Sequence, residues 1–439
     1  YLFQANVRHD GSSRFAKGYR WGTFPSFSAG WVASEEKFMK NLKWDWLSFL
    51  KLRGSWGMLG NERIGSNYFP YIALMSFGNS LFYMADGSVV SDKTARPAVL
   101  AVEDITWETT TSTDLGLDVN FLNNRLQFHF DYYWKETKDM LLNIEIPYFM
   151  GYNNPSTNAG KMSTHGYDIE VAWNDQIGDF KYGVNVNFSD FLSKIDYMND
   201  GEQISGGKIK RAGVLFNEFY GYVCEGIYQT QEEVNNSART STTVTVGDLK
   251  YRDISGPDGV PDGVISPEYD RVPLGNSLPR FQYGGSLNAS YKGIDFSLAF
   301  QGIGKQNSYL STSMVQPLRD NYGNVPAILE GKYWSPFNTT EENLAAKYPR
   351  LSNVSKSNNY ATSNFWMFNG SYFRLKNITL GYTLPKSWTQ KAGINRARFY
   401  VSGSDLFCLS NFPSGWDPEM GTSDYPITTS LVMGIQVNF

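Results

Sequence analysis

With only two cysteines and three histidines in 439 residues, this chain has little from which to build a metal centre or a redox couple. Cys224 and Cys408 lie far apart and form no metal or redox motif. They are read as two thiols, although an oxidising compartment would permit them to pair. His9, His129 and His165 have no cysteine or carboxylate at ligand spacing, and no catalytic set stands out, so no enzyme is expected. Gly206-Gly207 and Gly284-Gly285 do not sit between a strand and a helix, which excludes a phosphate loop and leaves bulges or close packing. Charge is nearly balanced, 39 basic against 43 acidic residues for a net charge of −4, so no nucleic-acid partner is indicated. There is also no apolar run near the roughly 18 residues of a spanning helix, and mean hydropathy is negative.

What the chain does have is aromatic residues, 16% of the total, and alternation. Side chains in a strand face opposite sides in turn. In the final nine residues Leu431, Met433, Ile435, Val437 and Phe439 therefore share one apolar face, with Gly434, Gln436 and Asn438 opposite. A membrane β-barrel turns one face of each strand to lipid and the other to a wet lumen. A closing Phe439 resembles the assembly signal of outer-membrane barrels. At the other end Tyr1, Phe3, Ala5 and Val7 already alternate, so the chain is expected to begin inside a strand, as a fragment of something longer.

The same period recurs in 115–121 and 126–134 around Asn123-Asn124, in 167–173 and 180–188, and in 281–291 and 294–300 around Lys292-Gly293, a good tight-turn pair. Weaker candidates are 25–33, 48–57, 371–383 and 397–406, the third of which shifts phase between Leu375 and Ile378 as a bulge would. About twelve strands result. Short links at 34–47, 123–124, 174–179, 292–293 and 384–396 alternate with long ones at 58–111, 136–164, 191–279, 304–370 and 407–430, and outer-membrane barrels likewise have short periplasmic turns and long extracellular loops. The expected fold is all-β, a transmembrane antiparallel barrel; a large soluble β-sandwich or propeller would not need long loops on one side alone.

Gly11-Ser12-Ser13-Arg14-Phe15, the stretch from Trp21 to Trp31, Leu50 to Gly57 with Gly60-Asn61, Tyr220-Gly221-Tyr222, Leu274-Gly275-Asn276, Ser371 to Ile378 and Asp417-Pro418-Glu419 resemble, in family order, the SusC/RagA-like TonB-dependent outer-membrane transporters. That resemblance implies a 22-stranded barrel of which residues 1–439 are the C-terminal part, the plug and N-terminal domains lying outside this sequence. It implies import of glycans or peptides in a Bacteroides-type bacterium, with a SusD-like surface lipoprotein and the TonB-ExbB-ExbD energising complex as partners and outer-membrane lipid as surroundings. A passive porin or adhesin barrel is the alternative.

Two groups of residues are candidate sites. Asp253, Asp258, Asp262 and Asp270 lie in a Gly-rich loop whose oxygen ligands would suit a calcium ion, although Pro257 and Pro261 interrupt the spacing and Asp-Gly turns need no metal; no other cofactor is expected. Tyr152, Trp334, Trp366 and Trp416 belong to long loops rich in rings and amides, which suit sugars or peptides and equally suit loop packing or a partner protein.

Overall fold

The computed structural model describes residues 1–439 except 43, 64–67, 145, 200, 311–314, 318–323 and 422–423. Twelve strands make up one sheet: β1 (Leu2–Gly11), β2 (Trp21–Val32), β3 (Leu47–Asn61), β4 (Glu108–Phe121), β5 (Leu126–Asn143), β6 (Ser156–Ile177), β7 (Phe180–Met198), β8 (Arg280–Tyr291), β9 (Ile294–Lys305), β10 (Tyr372–Thr383), β11 (Arg396–Ser410) and β12 (Ser430–Asn438). Each strand lies beside its sequence neighbours, so the sheet order runs from β1 to β12 without a crossover. The tight turns have the chemistry their residues suggest. Lys292 and Gly293 both take positive φ, 44° and 89°, as a two-residue hairpin matched to strand twist requires.

The phase shift near Leu375 is a bulge: against β9 the register slips between the Phe300–Leu375 and Ala299–Asn377 pairs, leaving Lys376 as the extra residue. Strand ends depart from the sequence reading. β6 runs for 22 residues and β7 for 19, far beyond 167–173 and 180–188. Crossing a bilayer takes only about 9–11 tilted residues, so alternation is imposed over that length and the rest of each strand carries no such mark. A separate ribbon, Leu74–Tyr83 paired with Val89–Val99, also occupies a stretch read as loop.

Two compact units can be distinguished, residues 1–171 with 190–203 and 210–215, and residues 172–189 with 204–209 and 216–439. In the first, cross-strand register lines up Phe3, Ala29, Gly54, Leu115 and Tyr132 in one apolar row. In the second, Val184, Leu287, Leu298, Ile378, Gly403 and Leu431 form another. Tyr182, Tyr382 and Phe399 flank that row toward the short turns, and Phe188, Phe300, Phe373 and Phe407 flank it toward the long connections. From Tyr382 to Phe373 is nine steps, roughly 22 Å of membrane depth at about 3.3 Å per residue and a tilt near 40–45°. Two aromatic girdles around an aliphatic band therefore have the spacing of a lipid-facing surface about 25 Å tall.

Candidate functional site

The opposite face of the sheet is polar, and its charges are organised by register. In the first unit Arg53 lies beside Gly116 and, one strand further, Asp131, while Lys51 lies beside Asp118 and then His129. Arg53 donates from Nη2 to Asp131 Oδ2 at 2.6 Å and from Nε to Asp118 Oδ1 at 3.2 Å. Asp114 stands 3.6 Å from its Nη1. Lys51 Nζ is 3.5 Å from Asp118, whose Oδ1 is also 3.0 Å from His129 Nδ1. A Cβ at Gly116 would run into the Arg53 guanidinium, so glycine leaves that ion-paired group its place. His129, on the same face as Asp131, is thus one member of a charged cluster that no local spacing would reveal.

In the second unit the centre of charge is Arg374, only 3% exposed. Its Nη2 donates to Asp417 Oδ2 at 2.6 Å, its Nε lies 2.5 Å from Glu419 Oε1, and Lys376 Nζ reaches Asp405 at 2.7 Å. Asp417-Pro418-Glu419 thereby ties the connection before β12 to the sheet. Burial alone would raise the Asp417 carboxyl, but the Arg374 hydrogen bond and the amides of Glu419 and Met420 outweigh it and hold it below its ordinary value.

The long connections of this unit fold over a core of Tyr222, Leu249, Tyr251, Ile265, Leu329 and Trp366. Trp366, 2% exposed, stacks on Tyr348 and Tyr360 and donates from Nε1 to the Asn359 carbonyl at 2.8 Å. Trp334 is 9% exposed and donates to Gln229 Oε1 at 3.2 Å. These two rings are packing residues and form no open binding surface. Trp416 is half-buried against the same core. Tyr152, half-buried, belongs to the first unit. Phe439 follows β12 and is exposed.

The four aspartates expected to meet a calcium ion do not converge. Asp258 and Asp262 are exposed, and Asp262 Oδ1 accepts from the Val264 amide at 3.0 Å. Asp253 Oδ2 accepts from the Gly263 amide at 2.7 Å, while its buried Oδ1 finds no hydrogen-bond donor among the described residues. Fully buried Asp270 accepts from the amides of Ile254, Ser255 and Ser266. Among the described residues no group of three or more Asp, Glu, His or Cys is placed to hold a metal; the carboxylates cap a run of turns instead.

Both cysteines are free thiols. Burial pushes the Cys224 thiol up to about 11. A thiol at about 8.5 is roughly one quarter ionised at pH 8 and one at 11 about one part in a thousand, and the thiolate is the reactive form. Iodoacetamide at pH 8 should therefore modify Cys224 about two orders of magnitude more slowly in the folded protein than in guanidinium. Equal rates, followed by peptide mass, would mean that the thiol is open.

A family model described as TonB dependent receptor-like, beta-barrel, matches residues 1–402. The chain belongs to that family. Over its whole length it is 30% identical to TonB-dependent receptor P3 of Formosa agariphila, covering 44% of that protein, and 29% identical to TonB-dependent receptor SusC of Bacteroides thetaiotaomicron, covering 42% of it. The chain thus spans less than half the length of these relatives. Its fold also matches a structure of the RagAB peptide transporter, with a TM-score of 0.78 and 24% identity over all of this chain and 45% of that one. Membership of the TonB-dependent receptor family implies an outer-membrane barrel of a Gram-negative bacterium.

Proposed function

We propose that this chain forms the C-terminal part of the wall of a TonB-dependent importer that carries glycans or peptides across the outer membrane of a Bacteroides-type bacterium. A SusD-like surface lipoprotein would close it from outside, and the TonB-ExbB-ExbD complex would energise it from within. One observation carries this reading: the sheet has a girdled apolar face of bilayer height and, opposite, a face held by ion pairs, in a member of the TonB-dependent receptor family. The apolar face suits lipid, and the polar face suits a lumen with solute and plug. No chemistry on the substrate is required.

The test is uptake by cells carrying the full-length protein. Removing TonB should lower uptake of the substrate at least about 10-fold, as expected when a closed path must be opened by work rather than by diffusion. Removing the neighbouring lipoprotein should lower it too. Uptake indifferent to TonB would mark a passive pore.

A further inference from the structure

One row of the polar face in the second unit is covered by the chain itself. Register sets Gln301, Arg374 and Cys408 side by side on β9, β10 and β11, each directly following a ring of the girdle toward the long connections, Phe300, Phe373 or Phe407. The connection leaving β11 turns back over this row. Glu419 Oε2 accepts from Gln301 Nε2 at 2.9 Å and its Oε1 lies 2.5 Å from Arg374 Nε, so one side chain spans two strands. Asp417 Oδ2 accepts from Arg374 Nη2 at 2.6 Å. The bulge supplies further partners. Lys376 stands opposite Asp405 and Leu406, between the Leu375–Phe407 and Asn377–Ser404 pairs, and its Nζ is 2.7 Å from Asp405 and 3.7 Å from Glu419; bulges re-aim side chains in this way. The segment is stiff in itself. Around Pro418 the Glu419 amide donates to Asp417 Oδ1 at 2.9 Å, and the Gly421 amide donates to the Asp417 carbonyl at 2.8 Å. On its far side Trp416 packs against the loop core, and Phe412 meets Phe368 edge-on at 4.7 Å.

From this we infer that residues 411–421 form a fixed inward strap, which narrows the passage at the depth of the girdle and so limits the width of solute that passes. The inference rests on the importer proposed above only in taking the polar face as the lumen. Arg374 and Asp417 are 3% and 7% exposed. Arg374 belongs to the strand and cannot follow the loop, so a loop that swung aside with a lid would leave a buried cation without Asp417 and Glu419, a large penalty. The strap is also held from two sides at once, by Trp416 in the loop core and by Asp417 and Glu419 on the wall, and cannot leave with either alone. Depth decides what it does. Contacts with the residues that follow Phe300 and Phe373 place Asp417 and Glu419 level with the girdle, inside the wall, where a segment of chain takes width from the passage instead of roofing it.

The experiment uses the full-length transporter with its lipoprotein. Hydrogen exchange of the unaltered protein tests whether the strap is fixed: the Glu419 and Gly421 amides should exchange at least about 100-fold more slowly than in an unstructured peptide. Conductance across planar bilayers tests whether it narrows the passage, with the plug loosened by urea and neutral polyethylene glycols of rising mass as size probes. Arg374→Met with Asp417→Asn and Glu419→Gln removes the clamp and leaves Lys376 paired with Asp405. It should speed exchange at Glu419 and Gly421 at least about 10-fold, the order of losing charge-assisted hydrogen bonds, and raise the mass of glycol that enters. Glu419→Gln alone, which keeps the side chain's shape and leaves Arg374 and Lys376 against Asp405 and Asp417, should shift both readings the same way by less, and serves where the triple variant does not fold. Free exchange in the unaltered protein, or a strap that loosens while the glycol cutoff stays where it was, overturns the inference. An unchanged cutoff beside TonB-dependent uptake in cells would remove the strap's role and leave the importer standing; TonB-independent uptake would remove the importer.

Discussion

Arg350→Met should open the loop core of the second unit at a cost of about 3–5 kcal/mol, the range for stripping the partner from a buried charge. Asp248 is fully buried, whereas the Arg350 side chain keeps 24% of its exposure, so the penalty falls on the carboxylate. Asp248 accepts from Arg350 at 2.7 and 3.2 Å, from Asn359 at 2.9 Å, from Ser355 Oγ at 2.8 Å and from the Thr245 amide at 2.9 Å. Asn359 then takes the Leu249 amide at 2.9 Å, and Asn358 takes the Tyr251 hydroxyl on its carbonyl at 2.6 Å. Pulling one charge out of such a network leaves desolvated groups with nothing to meet. Hydrogen exchange at Leu249 and Tyr251 should accelerate by two to three orders of magnitude at about 1.4 kcal/mol per decade. Asp248→Asn with Arg350→Met should recover much of the loss, because the uncompensated charge is gone. Unaltered exchange in the single variant would show that the carboxylate is not what holds these connections together.

Leu298→Arg should cost about 2–4 kcal/mol and Ser297→Arg close to none, from adjacent residues given the same charge. Leu298 lies in the aliphatic row between Leu287 and Ile378, midway between the aromatic girdles, where a guanidinium has the longest reach to either interface. Ser297 points to the other face, between Asn288 and Thr379 and two residues from Asp295, where an added cation has water and a carboxylate. Both variants belong in the full-length protein, folded into lipid vesicles across a denaturant series. Equal losses would refute the assignment of faces and, with it, the lipid-facing surface.

The alternation of Leu115 to Phe121, Leu126 to Trp134, Tyr182 to Phe188 and Ile294 to Phe300 was enough to identify an all-β membrane architecture, the residues that share a face on each of these strands and the bulge beside Leu375; the rule of short and long links was not, since the link 144–155 after β5 is shorter than the link 33–46 after β2. Lipid contact is a condition on single residues, apolar or not, and a period of two records it directly. Strand length was legible only across the lipid band, because above it neither face is required to be apolar. Partnership was not legible at all. Arg53 meets Asp118 and Asp131, and Arg350 meets Asp248 from 102 positions away; such pairs are set by register between strands and by the closure of long connections, and leave no mark in local spacing. The loop aromatics show the same limit from another side. Trp334 and Trp366 read equally well as binding surface or as core, and only packing against Gln229, Tyr348 and Tyr360 turns them inward, since a tryptophan buries as much area under its own loops as under a ligand.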